Sequence, residues 1–169
     1  MFTTFIRTIL LLVCTALSII AAYYNIWTLL ILSTIISLVL LFGFFRVGTI
    51  PLALKAIKMN DYIKLESVLM EINNPDRLMQ PYRTYFYFSK GMLERNKDNL
   101  DAASNFFNIA LLEGFKNEHY KAMTLLALTD IEMVKRNKTA ARKYFEQMKN
   151  LKVHPNLMES IKKMQTYLA

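Results

Sequence analysis

The sequence predicts an all-α protein in two parts: an N-terminal hairpin of two transmembrane helices, followed by a solenoid of helical hairpins. Three observations carry that expectation. No charged side chain occurs between Arg7 and Arg46, while all 13 acidic residues and 20 of the 21 basic ones lie from Arg46 onward. Glycine and proline are scarce, at four each, leaving little punctuation for a many-stranded fold. Beyond Arg46 the apolar residues recur with helical spacing, in segments separated by short polar turns.

The uncharged stretch comes first. A bilayer core about 30 Å thick needs roughly 20 apolar residues as helix. Thr8 to Phe45 supplies 38 uncharged residues, close to two spans. The break falls at Tyr23, Tyr24, Asn25, Ile26 and Trp27, where the most polar residue of the stretch is set among interface-seeking aromatics. Spans are therefore expected at about 5–23 and 27–45, within a membrane domain of residues 1–46. Backbone groups cannot go unpaired in lipid, so both must be helices. A cleaved secretory signal ending near Ala21 and Ala22 fits poorly, because a second apolar segment follows at once. Arg7 flanks the first span, and Arg46, Lys55 and Lys58 flank the second, whereas the turn is uncharged. Both ends are thus expected on the cytoplasmic side of a multi-pass cell membrane protein. Ser33 and Ser37 have the spacing that lets helices approach closely. No Asp, Glu, Lys, Arg or His sits mid-span, so the hairpin is expected to anchor or dock rather than transport.

Residues 47–169 are expected to form a cytoplasmic domain of seven helices, at about 51–59, 61–72, 78–95, 99–113, 118–135, 139–150 and 155–167. Pro51 suits a first helical turn, and Asp61 and Thr139 suit N-caps. The segments repeat. Ala53, Gly91 and Thr129 are small residues 38 apart. Leu65, Ala103 and Ala141 share that spacing, as do Leu69, Phe107 and Phe145, and Ile72, Ala110 and Met148.

Gly91, Ala103, Phe107 and Ala110 together resemble the tetratricopeptide repeat, whose small residues and aromatic fall at those places. The third unit keeps Ala141 and Phe145, and the first keeps only Ala53. The period of 38 exceeds the family's 34, so each junction carries about four extra residues. The resemblance implies about three hairpins, which bury their apolar faces only by stacking, plus a C-terminal capping helix from Pro155 to Leu168. It also implies a concave groove lined by Tyr85, Phe88, Met92, Arg95 and Asn96 from one unit. Met123, Leu126, Asp130, Met133 and Val134 would line it from the next. Such a groove suits an apolar helix or strand of a protein partner, the alternative cover being the chain's own last helix or the membrane. The family's carboxylate clamp is not matched, since Phe88 and Met92 stand at its Lys and Asn positions.

No chemistry-bearing motif emerges. Cys14 is the one cysteine, and His119 and His154 have no ligand or catalytic partners at defined spacing. No phosphate loop or nucleophile motif is present. The sequence therefore predicts neither an enzyme nor a metal, cofactor, small-molecule substrate or nucleic-acid binder. From Arg46 onward the chain has 20 basic and 13 acidic residues and carries +7. Held beside a bilayer, that charge is expected to meet anionic headgroups, through Arg46, Lys55, Lys58 and Lys64. The function expected is a membrane-anchored scaffold that binds a protein at the cytoplasmic face. The alternative is an accessory subunit of a membrane complex, held mainly through its hairpin.

Overall fold

The computed structural model describes residues 2–24, 26–148, 151 and 155–168. Among these it is all helical, without a strand. The first two helices, α1 (Phe2–Tyr23) and α2 (Trp27–Val47), form an antiparallel pair. The break lies where the aromatic cluster predicts it, although Asn25 is outside the described residues. Ser18 and Ser33 join the pair through hydroxyls 2.7 Å apart. The Ser33 hydroxyl also donates to Leu30 O of its own preceding turn, as those of Thr15 and Thr34 do to Leu12 O and Leu30 O. Counting only the described residues, no helix is long and apolar enough to cross a membrane. Over their full lengths α1 and α2 have 22 and 21 residues.

Three helical hairpins follow: α3 (Ile50–Lys58) with α4 (Tyr62–Met70), α5 (Gln80–Asn96) with α6 (Leu100–Glu113), and α7 (Glu118–Val134) with α8 (Lys138–Met148). A single 3₁₀ turn at Pro75–Arg77 precedes α5, and α9 (Pro155–Leu168) ends the chain. Pro51 does stand in the first turn of α3, and the Asp61 carboxylate accepts from Lys64 N at 3.0 Å. Thr139 is not the N-cap of α8: the helix starts one residue earlier, and the Asn137 side chain accepts from Ala140 N instead. Asn137 can do this because it occupies the turn position equivalent to Asp61, where a short side-chain acceptor reaches the free amides.

The hairpin turns are copies of one another at the 38-residue period. Asn60, Asp98 and Arg136 adopt left-handed backbone with φ of 54, 59 and 61°. After each, an amide reaches back five residues: Asp61 to Ala56 O (3.0 Å), Asn99 to Glu94 O (2.9 Å) and Asn137 to Glu132 O (2.8 Å). This closes the first helix of every hairpin as a Schellman turn, which satisfies carbonyls the helix end leaves open. In the second and third turns the Asn99 and Asn137 amides also donate to Glu94 and Glu132.

The core follows the same period. Ala53, Thr129, Leu65, Ala103, Ala141, Leu69, Phe107, Ala110, Phe145 and Met148 are all buried. The small-plus-large pairing has a direct steric basis at Gly91, where an added Cβ would lie 2.5 Å from the Phe107 ring. That contact lets α5 and α6 close on each other, and the ring fills what the missing side chain leaves. Neighbouring units are tied by repeated ion pairs: Lys97 reaches Glu66 of α4 (2.6 Å), and Lys135 reaches Asp101 of α6 (2.5 Å). The end next to α2 is equally fixed. Met79 N donates to Arg46 O (2.9 Å), and the Thr49 hydroxyl donates to Val68 O (3.0 Å).

Candidate functional site

The site is a groove on one side of the hairpin stack, walled by α5, α7 and α9. Its apolar lining comes from Met92, Met123, Leu126, Ala127, Leu157 and Met164, and its polar lining from Arg95, Asp130 and Ser160. The cavity measures about 340 Å³. Arg95 of α5 and Asp130 of α7 form an ion pair on its wall. Both ions are about two-fifths exposed, so water screens the pair and its main effect is to set the register of α5 against α7. Unbranched methionines on three helices give this surface adjustable contours, suited to packing against varied apolar side chains.

The sequence-derived groove residues divide in two. Met92, Arg95, Met123, Leu126 and Asp130 come together as the resemblance implies. Tyr85, Phe88, Asn96 and Met133 do not line the cavity. Phe88 is fully buried, with ring centroids of Tyr120, Phe115 and Phe107 at 5.5, 6.1 and 6.2 Å. Tyr85 packs against Phe115 and Tyr120, and burial raises its phenol pKa, with Tyr120 and Tyr82 adding to the effect. Asn96 is exposed at the end of α5, and Val134 is exposed at the end of α7. Met133 belongs to the apolar cluster under α8 and α9.

The displacement of Phe88 has a cause in the longer period. The extra residues between α6 and α7 include Phe115, which folds onto α5. Gly114, with φ of 85°, turns the chain there, and its carbonyl accepts from the Thr84 hydroxyl (3.0 Å) and from the Gln80 amide (3.2 Å). Arg83 of α5 adds an ion pair to Glu113 (2.7 Å). The junction thus covers the first turns of α5 and leaves only its C-terminal half facing the groove.

Sequence reasoning assigned α9 to capping, and Leu157, Ile161 and Met164 do pack against the cluster of α7 and α8. Leu157, Ser160 and Met164 also face the groove, so the last helix covers part of that apolar face. The signal was present in the spacing of 157, 160/161 and 164, a stripe wide enough for two contacts. The four basic residues assigned to lipid are all exposed. The Arg46 guanidinium lies 5.5 Å from the Phe42 ring centroid, a cation–π geometry. Lys55 and Lys58 occupy the outer face of α3, and Lys64 lies in the first turn of α4.

Among the described residues, no group of three or more His, Cys, Asp or Glu side chains is placed to hold a metal ion. His119 is half-buried beside Tyr120, at 5.8 Å between ring centroids, and His154 lies outside the described residues. No protein-family model, curated protein or solved structure matches the chain.

Proposed function

We propose that the chain is a membrane-anchored adaptor whose tetratricopeptide-like hairpins bind an apolar segment of a protein partner at the cytoplasmic face. The observation that carries this reading is the groove itself. Five of the residues that the repeat pattern nominates, Met92, Arg95, Met123, Leu126 and Asp130, converge on one open apolar cavity. The recurrence of turn, small residue and aromatic at 38-residue spacing supports the tetratricopeptide likeness. The anchor rests on the exposed faces of α1 and α2. Leu12, Leu17, Ile20, Leu29, Leu38 and Val39 are more than half exposed, an apolar extent that water does not tolerate and lipid does. The proposed role is binding rather than catalysis.

A photo-crosslinking amino acid at Met123 in native membranes tests this. A discrete crosslinked partner is expected, lost on Leu126→Glu with helix content unchanged. Loss of nothing on Leu126→Glu contradicts the groove assignment. A second reading, an accessory subunit held through its hairpin, draws on an apolar cleft of about 220 Å³ between α1 and α2, lined by Leu17, Ile20, Leu29, Leu32 and Ile36. Crosslinks from Leu32 and none from Met123 would favour it.

A further inference from the structure

Charge is divided unevenly along the stack. From Arg46 to Val134 the chain has 11 basic and 11 acidic residues, which cancel. From Lys135 to Ala169 it has nine basic and two acidic residues, so the whole excess of +7 belongs to this last stretch. Balanced charge solvates a surface, whereas a one-sided excess attracts the opposite sign. Folding puts that excess outside. α8 buries Ala141, Phe145 and Met148 and leaves Lys138, Arg142 and Lys143 exposed. α9 turns Leu157, Ile161 and Met164 toward the cluster of α7 and α8 and leaves Lys162 and Lys163 exposed. The carboxylates around these cations are Glu146 and Glu159 on the same helices, and Asp101 and Glu132 from α6 and α7. Asp101 is held by Lys135, and Glu159 by Lys163 (2.8 Å). With Lys135 and Arg136, the seven described cations still outnumber those four acids. The basic surface also borders the groove. Lys163 stands three residues after Ser160, its neighbour across one helical turn, and Ser160 and Met164 line the cavity.

We propose that this basic end receives an acidic stretch of the same protein partner whose apolar segment lies in the groove. The inference rests on the adaptor reading above and specifies the partner's chemistry: an apolar segment continued by several Asp or Glu. Charge complementarity selects an acidic chain, and continuity with the groove selects a protein. A nucleic acid strand is gripped by aromatic platforms set among the cations. On α8, Tyr144 is half-buried, and its hydroxyl donates to Asn108 Oδ1 (3.2 Å). Phosphates, one per about 1.7 Å of duplex axis, would also meet Glu146 and Glu159, which a flexible peptide can step around. The last hairpin is two packing steps of about 8–10 Å beyond the hairpin next to α2. Headgroup charge at the end of α2 is screened over that distance, since the Debye length is about 8 Å at physiological salt. The basic end would thus steer the partner's approach, while the groove sets how long it stays.

The test uses the full chain in phosphatidylcholine nanodiscs and fluorescence anisotropy, with empty discs as background. The probes are a glutamate-rich peptide of about twelve residues, its glutamine counterpart, and a single-stranded RNA of the same length. The glutamate peptide is expected to bind about tenfold more tightly than the glutamine one. That preference should vanish in about 1 M salt, where the Debye length falls to about 3 Å. Lys138→Gln/Lys143→Gln/Lys162→Gln/Lys163→Gln should remove it. Lys55→Gln/Lys58→Gln/Lys64→Gln/Lys116→Gln, which deletes as many exposed charges elsewhere, should keep it. Joining a leucine-rich segment to the glutamate peptide should tighten binding further, and Leu126→Gln should cancel only that gain. Equal affinity for the two peptides, equal loss in the two quadruple variants, or tighter binding of the RNA overturns the inference. Loss of the preference when phosphatidylglycerol is added to the discs assigns the basic end to lipid and overturns it too. A gain from the leucine-rich segment without any glutamate preference overturns this inference and leaves the groove reading standing. A glutamate preference with no such gain contradicts the groove reading, and with it the shared partner.

Discussion

The two helix pairs α1–α2 and α5–α6 both carry large apolar side chains and treat them in opposite ways. In α5–α6, Phe88, Phe107 and Ala110 are fully enclosed, and apart from Leu112 the exposed residues are polar. In α1–α2, Leu38 and Val39 are 63% and 65% exposed, and the helices meet over hydroxyls at Ser18 and Ser33. The hydrophobic effect drives the first arrangement, because burying apolar area removes it from water. It supplies nothing between helices already surrounded by hydrocarbon, where small residues and hydrogen bonds bring helices together instead. In the proposed reading the difference between the pairs is therefore a difference of solvent.

Deleting a large buried side chain should break the symmetry between the pairs most visibly. Phe107→Ala is expected to destabilise the helical domain by about 3–5 kcal/mol in detergent solution, followed by circular dichroism during denaturation. Leu38→Ala, which removes a comparable apolar bulk from α2, should shift the same transition by less than about 0.5 kcal/mol. Charge reverses the ranking. Leu38→Lys should cost about 2.5–3.5 kcal/mol in membrane insertion, measured as the inserted fraction in a translocation assay. Smaller, and confined to the stacked helices, is the effect of Gly91→Ala. The new methyl would press on the Phe107 ring, an overpacking expected to cost about 1–3 kcal/mol. Phe107→Leu should partly relieve it, so the double variant should be more stable than the sum of the two single changes predicts.

The smallest effect concerns the ion pairs between units. A hydrogen bond from the Lys97 ammonium to Glu66 raises its pKa above the ordinary 10.5, and the Glu66 and Glu94 charges add to that. Lys135 is raised likewise by its hydrogen bond to Asp101. A lysine held above its unfolded value contributes fully below pH 10.5, and the contribution disappears as pH climbs through the raised value. Thermal stability should therefore fall slightly faster above pH 10.5 in the wild type than in Lys97→Gln/Lys135→Gln. Identical slopes would show that these pairs contribute nothing in solution.

Much of this was legible in the residues. The hairpin boundaries followed from turn residues, and the small and aromatic positions followed from the 38-residue period, because close packing at Gly91 and Phe107 constrains residue size wherever it occurs. Five groove residues followed from the resemblance alone. Phe88 was misplaced because four consecutive aromatic residues, Tyr85 to Phe88, leave the inward face of α5 undetermined. The junction residue Phe115 decides it, and nothing local to Phe115 says that it folds back onto α5. The Lys97–Glu66 and Lys135–Asp101 pairs were not readable either, since partners 31 and 34 residues apart meet only through the stacking of units. The exposed Ile63 and Met70 of α4 could not be told from the buried Leu65, Val68 and Leu69, because apolar residues stand on both sides of this nine-residue helix.

The claim on which the rest depends is that α1 and α2 lie in lipid with the stacked hairpins in the cytoplasm. Cysteine accessibility in intact cells tests it directly, using a membrane-impermeant maleimide and single-cysteine variants in a Cys14→Ser background. Tyr24→Cys, at the hairpin turn, should label from outside. Asn137→Cys, in the turn before α8, should label only after permeabilisation, and Leu38→Cys should stay protected throughout. Rapid labelling of Leu38→Cys in water, or of Asn137→Cys from outside intact cells, would contradict the account.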